Sequence, residues 1–218
     1  MPVFASTHPL VQHKVSLLRD AHISVKSFRE LTKELATLLM VEATTQLPVT
    51  QKPLTCWSGN ISTPMLADKQ PTLVPILRSG LGMLDGALSV LPCAKVSVVG
   101  LKRNDDSVAL DDNGKVNIAI ESYYQNIVSD IDQRQAFIID PMLATGGSAI
   151  ACIEMLKASG CQNISALFLV AAPEGIAALE QAHPEVNIFV AAIDEKLNDQ
   201  GYILPGLGDA GDKIFGTL

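Results

Sequence analysis

From Leu73 onward the chain alternates between short apolar runs and segments whose apolar residues recur at helical spacing. The runs 73–77, 95–101, 136–139, 164–170 and 186–193 are rich in β-branched residues, and helical patterns at 83–91, 148–159 and 174–183 lie between several of them. A strand that is apolar on both faces must be covered on both. The alternation therefore predicts an α/β fold, a central parallel sheet flanked by helices.

The flanks read differently. His8-Pro9 puts proline at the first position of a short helix reaching about Arg19, and Ser27-Phe28-Arg29-Glu30 has the S-x-x-E pattern of a capping box. Phe28, Leu31, Leu35, Leu38 and Leu39 then repeat at helical spacing, and this apolar face predicts a homodimer or larger homo-oligomer. Residues 47–69 are punctuated by Pro, Thr, Gly and Asn, which predicts irregular structure or short edge strands. Residues 104–131 form a polar, acidic insert around Asp112-Asn113-Gly114, a good hairpin turn, and predict a long flexible hairpin acting as a lid. One domain thus carries a helical arm (1–47), a hairpin (103–131) and a C-terminal hood (194–218).

Composition narrows the class. The 218 residues fit one domain, 48% hydrophobic and 18% charged, and a net charge of −7 excludes a broad nucleic-acid surface. The N-terminus has no basic-then-apolar leader pattern, and no apolar run is long enough to span a membrane. Cys56, Cys93, Cys152 and Cys161 show no C-x-x-C spacing, so buried free thiols and a reducing, cytosolic (cytoplasmic) compartment are expected. His8, His13, His22 and His183 are far from the motif below and read as structural or surface residues.

The chemistry concentrates in FIIDPMLATGGSAI, residues 137–150. A strand ending at Asp140, then Ala144, Thr145, Gly146, Gly147 and Ser148 at a helix start, aims backbone N–H groups and two hydroxyls at one point, where the helix dipole adds positive potential. That is an anion cradle, and Asp140 is placed to accept hydrogen bonds from the vicinal hydroxyls of a sugar. No lysine follows the glycine pair, so the stretch is not a triphosphate-binding P-loop. G-x-G-x-x-G at 206–211 has too few residues after it for a dinucleotide fold, and the glycines at 80–86 miss the pattern by one position. Arg78 and Arg103 stand at the ends of two predicted strands and are suited to clamp a diphosphate. The tail 202–212 is too glycine-rich for regular structure and reads as an ordered loop whose backbone approaches a planar ligand closely.

IIDPMLATGGS resembles the phosphoribosyl-diphosphate motif of type I phosphoribosyltransferases. VPILRSGLGMLDG, VAAPEGI and GYILPGLGDAGDKIFGT are similar to segments of the uracil phosphoribosyltransferase family, which shares Pro141 where most type I members carry a second acid. The resemblance implies the type I fold and transfer of the phosphoribosyl group from phosphoribosyl diphosphate to uracil, giving UMP and diphosphate in pyrimidine salvage, with Mg²⁺ as cofactor bound mainly through substrate. It implies that Asp140, Pro141, Met142, Leu143, Ala144, Thr145, Gly146, Gly147 and Ser148 hold the ribose 5′-phosphate, and that Arg78 and Arg103 hold the diphosphate. Ile203, Gly208, Asp209 and Ala210 would bind uracil, largely through backbone groups. Asp209 would also face the donor and its metal, with Asp209 and Arg103 the catalytic pair.

Some family members are activated by GTP, and the resemblance extends that expectation here. Four places depart from the family pattern: Ser122 where proline is usual, Asn126 where lysine is usual, an insertion near 111–117, and Ala21 in LLRDAHIS in place of a lysine. Tyr123-Tyr124 resembles the aromatic pair of the family's mobile loop. Two rival readings follow: a non-catalytic regulator that binds the donor or UMP, and transfer to a purine, which the single acid at Asp140 disfavours.

Overall fold

The computed structural model describes residues 2–67, 69–104, 107, 109–110 and 116–217. Its strands are β1 (Val3–Ala5), β2 (Val49–Cys56), β3 (Gly59–Leu66), β4 (Thr72–Leu77), β5 (Lys95–Val96), β6 (Val98–Arg103), β7 (Ala109–Leu110), β8 (Val116–Asn117), β9 (Ile120–Asn126), β10 (Gln135–Ile139), β11 (Met142–Leu143), β12 (Asn163–Ala171), β13 (Asn187–Ile193), β14 (Lys196–Leu197) and β15 (Ile203–Leu204). Its helices are α1 (Pro9–Leu18), α2 (Val25–Ala43), α3 (Leu81–Val90), α4 (Gly147–Ala158), α5 (Pro173–Ala182) and α6 (Ala210–Phe215).

The main sheet runs β1-β13-β12-β10-β4-β6-β9, with β11 beside β12 and β5 beside β4. All its pairings are parallel except β6 with β9. Strand alternation divides the core in two. Phe137, Ile139, Leu167 and Leu169 pack on one face with Phe28, Leu35 and Leu39 of α2 and Met83 of α3. Ile138, Ala166 and Phe168 face the other way, onto Ile153 and Leu156 of α4 and Leu179 of α5. The mixed α/β architecture expected from the apolar runs is the one observed.

Several boundaries differ, each for a local reason. The N-cap of α2 is Ser24, whose hydroxyl accepts from the Ser27 backbone N–H at 3.1 Å, so Ser27 lies inside the helix and its S-x-x-E pattern is not the cap. Of the two alternatives for 47–69 the strands are found, but β2 and β3 pair antiparallel over eight residues each as a separate hairpin and not at the edge of the main sheet. The strand expected over 95–101 is interrupted at Ser97, whose hydroxyl accepts from the Val128 N–H at 3.1 Å. The polar insert contributes β9 to the sheet edge, while its turn Asp112-Asn113-Gly114 lies outside the described residues. Cys152 and Cys161 are buried as expected, but Cys56 is only half-buried and Cys93 is exposed; all four are free thiols.

The apolar face of the arm is consumed within its own chain, since α2 packs on α3 and the sheet. Close approach makes this possible: a Cβ on Gly86 would lie 2.1 Å from the Lys33 carbonyl oxygen and 2.9 Å from Ala36 Cβ. Gly86→Ala should therefore cost about 2–3 kcal/mol through overpacking, outweighing any gain in helix propensity. A lowered midpoint with an unchanged slope in urea unfolding checks this.

Candidate active site

In an open α/β sheet, ligands bind beyond the carboxyl ends of the strands where the chain winds away in opposite directions. Here β4 continues through α3 to β6 on one side, and β10 continues through α4 to β12 on the other. Arg78, Ser79 and Asp140 follow β4 and β10 directly at this switch point. They line a cleft of about 310 Å³ that also takes in Arg103, the turn from Met142 to Ser148, Ile203 and Asp209.

Of the residues singled out from sequence, Arg78, Arg103, Asp140, Met142, Leu143, Ala144, Thr145, Gly146, Gly147, Ser148, Ile203 and Asp209 share this cleft. Pro141 and Ala210 are buried next to it, and Gly208 is exposed beside it. Ser79 and Lys102 also line it and were not named as site residues, while Tyr202 and Gly211 line it within the tail read as a ligand-approaching loop. The signal for Ser79 was its place beside Arg78 after a strand; Lys102 and Tyr202 similarly adjoin named positions.

The anion cradle has the form the sequence requires. Gly146 is the N-cap of α4 with φ 88°, a left-handed conformation that a side chain would strain. The first helical bond is Ile150 N–H to the Gly146 carbonyl, so the preceding N–H groups of the first turn have no intrahelical acceptor. Thr145 and Ser148, both bearing hydroxyls, line the same cleft. Ile120, at the start of β9, closes against the turn, its Cγ1 3.1 Å from where a Gly147 Cβ would sit. Tyr123 and Tyr124 lie further along β9, more than 45% exposed, and do not line the cleft.

Asp140 is only 9% exposed. Burial pushes its carboxyl up to about 7, although hydrogen bonds from the Ser79 hydroxyl at 2.7 Å and the Met142 N–H act in the opposite sense. Burial thus holds this carboxyl above the ordinary carboxylate range even with two donors facing it.

Two arginines reach from the sheet to the C-terminal segment. Arg78 meets Asp212 Oδ1 at 3.2 Å and lies over the Phe215 ring at 5.7 Å, while Arg103 donates to the Gln200 carbonyl at 3.2 Å and lies over the Tyr202 ring at 5.5 Å. The hood is more regular than its glycine content suggested, with β14 and β15 paired and α6 following. Asp209 is the N-cap of α6, its Oδ1 accepting from the Asp212 N–H at 2.9 Å. Arg29 of α2 holds the far end of α6 through the Ile214 carbonyl.

Among the described residues, no three His, Cys, Asp or Glu side chains converge as metal ligands. The acids lining the cleft are Asp140 and Asp209, oxygen donors of the kind that hard divalent cations such as Mg²⁺ take. No helix among the described residues is long and apolar enough to cross a membrane.

Comparison with known proteins places this cleft in context. A family model described as uracil phosphoribosyltransferase matches residues 5–217. The structure of the AQ2163 protein from Aquifex aeolicus is similar at 37% identity and a TM-score of 0.87, over 98% of this chain and 97% of that one. An adenine phosphoribosyltransferase from Trypanosoma brucei, solved with AMP, pyrophosphate and ribose-5-phosphate, is similar in fold at 10% identity and a TM-score of 0.55, over 88% of this chain and 82% of that one.

Proposed function

Because the chain belongs to the uracil phosphoribosyltransferase family, a family that transfers a phosphoribosyl group to a nucleobase, we propose that the base is uracil and the product UMP. The observation that carries this reading is the single cleft shared by an anion cradle, two arginines and a backbone-rich hairpin.

In this reading the turn from Asp140 to Ser148 grips the ribose 5-phosphate. N–H groups of the first turn of α4 and the Thr145 and Ser148 hydroxyls meet the phosphate, and Asp140 accepts from the ribose 2- and 3-hydroxyls. Displacement breaks the C1–oxygen bond to diphosphate and forms a bond from C1 to uracil N1, which loses its proton. Positive charge develops on the ribose and negative charge on the leaving group, so positioning and electrostatic stabilisation supply the acceleration. Arg103 and Arg78 meet the departing diphosphate; Arg78 does so by exchanging Asp212 for a phosphate oxygen. Mg²⁺, when bound, would further neutralise the diphosphate charge, and Asp209 would be the carboxylate that holds it.

Uracil presents an acceptor, O4, beside a donor, N3–H, and cytosine presents the reverse. Backbone groups of Ile203 in β15, Gly208 in the loop after it and Ala210 at the start of α6 distinguish the two by leaving buried groups unpaired, at about 1–3 kcal/mol each. A competition panel of uracil, cytosine, hypoxanthine and adenine, each with phosphoribosyl diphosphate and Mg²⁺, should return UMP alone at appreciable rate. Preference for a purine would overturn the assignment.

The β2–β3 hairpin supports a homo-oligomer in place of the arm. Its residues are almost all exposed, including Val49 at 63% and Trp57 at 100%, and a lone two-stranded hairpin is marginal in water. A second copy covering it accounts for that exposure. Light scattering should give at least twice the chain mass, and Trp57→Ser with Leu54→Ser should shift it toward monomer.

A further inference from the structure

The segment joining β12 to α5 touches both halves of the cleft without lining it. Ala172 donates its N–H to the Leu143 carbonyl at 2.9 Å, which fixes β11 and the start of the anion turn. Three residues on, a Cβ on Gly175 would lie 2.2 Å from the Ala144 carbonyl oxygen and 2.8 Å from that of Leu143. The first turn of α5 therefore lies directly against the backbone of the phosphate loop, and only a residue without a side chain allows that approach. Gly146 is in the same contact, since a Cβ there would meet the Gly175 carbonyl oxygen at 3.1 Å and Ala178 Cβ at 3.2 Å.

Between these two residues, Glu174 points to the other half. Its Oε1 accepts from the Leu197 N–H at 3.0 Å. Leu197 pairs with Ile203 across β14 and β15, so the carboxylate anchors the strand directly behind a residue that lines the cleft on the hood side. Its Oε2 is buried and has no hydrogen-bond partner among the described residues. Glu174 is half-buried overall, but its buried and unpaired Oε2 is a poor device for stability, because that oxygen is desolvated without return. What it does achieve is a fixed tether from the start of α5 to the base hairpin.

We propose that Ala172–Gly175 is a positioning element that sets the distance between the two substrates, with Gly175 seating the phosphoribosyl loop and Glu174 seating the base hairpin. Neither residue touches substrate; both act through backbone they hold. A displacement reaction depends steeply on the separation of its reacting atoms, so a rigid piece common to both subsites is an economical way to hold the approach of N1 to C1. The roles of the two subsites rest on the reading given under Proposed function.

The test uses Glu174→Ala, Glu174→Gln and Gly175→Ala in the full chain, with KM for each substrate and amide hydrogen exchange in the free protein. Loss of one hydrogen bond in Glu174→Ala should raise KM for uracil about five- to tenfold and leave KM for phosphoribosyl diphosphate within about twofold. Glu174→Gln keeps an acceptor for Leu197 and should recover most of that loss. Gly175→Ala should do the opposite, raising donor KM about tenfold or more while sparing uracil. Exchange should quicken in 196–204 for Glu174→Ala and in 142–149 for Gly175→Ala, a readout that needs no turnover. Both KM values moving together, or glutamine performing no better than alanine, would overturn the proposal, as would unchanged exchange in those segments. If Gly175→Ala does not fold, the Glu174 pair decides. An inactive parent protein that nevertheless shows the segment-specific exchange contradicts the functional reading and leaves the mechanical one standing.

Discussion

Asp140→Asn makes the free protein more stable at pH 8 and, at the same time, cuts phosphoribosyl transfer by about two to three orders of magnitude. The first effect follows from burial. The carboxyl is pushed up to about 7 in the folded chain against an ordinary value of 3.8, so folding favours its protonated form. Its contribution to stability is therefore complete below about pH 4 and is lost as pH rises through 7. That difference corresponds to a loss of about 4 kcal/mol. Asparagine has nearly the same shape and an oxygen to accept from Ser79, but carries no charge to desolvate. Allowing for relaxation around the site, a gain of about 2 kcal/mol at pH 8 amounts to roughly 4–8 °C in melting temperature for a chain of this size. Near pH 4 the difference should vanish. Thermal melts of both proteins across pH 4 to 8 check the sign and the window.

The second effect comes from the same property. Ribose hydroxyls need an acceptor, and the carboxamide presents a donor in one of the two positions, leaving a buried polar contact unmade. For the parent enzyme, kcat/KM for the donor should rise with pH through about 7, because only the ionised carboxylate accepts from both hydroxyls and this parameter reports the free enzyme. The profile of Asp140→Asn should be flat over that range.

Arg19→Ala should be the most damaging single change outside the cleft, lowering stability by about 3 kcal/mol. The Asp194 side chain is 2% exposed and accepts from both terminal guanidinium nitrogens of Arg19, one of them at 2.9 Å. Arg19 also donates to the Gly206 carbonyl at 3.0 Å, and Asp194 accepts from the Gly206 N–H at 2.8 Å. Removing the arginine leaves a buried carboxylate without its cation and removes one of the two bonds that hold Gly206, in the loop that precedes Gly208 and Asp209. The loss falls at the lower end for buried pairs because a quarter of the Arg19 side chain keeps contact with water. Adding Asp194→Asn should restore part of the stability, since no uncompensated charge then remains. Chemical denaturation of the single and double variants measures both, and uracil KM should rise in each because the Arg19 bond to the Gly206 carbonyl is gone.

Arg19 also illustrates what the sequence concealed. Its importance depends on Asp194, 175 positions later, and no local pattern announces that pairing. The same holds for Glu174 and Leu197, and for Ser79 and Asp140, which meet only because β4 and β10 are neighbours. By contrast the strands, the helices and the anion turn were legible, because each is written in consecutive residues: apolar runs of period-independent burial, a carboxylate at a strand end, glycines at a helix start. The capping box at Ser27 misled because Ser24, three residues earlier, offers the same hydroxyl one turn further out. Segment 47–69 left irregular structure and strands both open because its strands have no buried face, so the alternation that marks an ordinary strand is missing. The hood looked irregular because short elements such as β14, β15 and α6 carry too few residues to establish a period.

The measurement closest to the central claim is conversion of labelled uracil to UMP, with phosphoribosyl diphosphate and Mg²⁺, by the parent protein and by Asp140→Asn. The account predicts UMP and diphosphate in equal amounts from the parent and a rate at least about a hundredfold lower from the variant. Folded parent protein that binds phosphoribosyl diphosphate yet forms no UMP would contradict it.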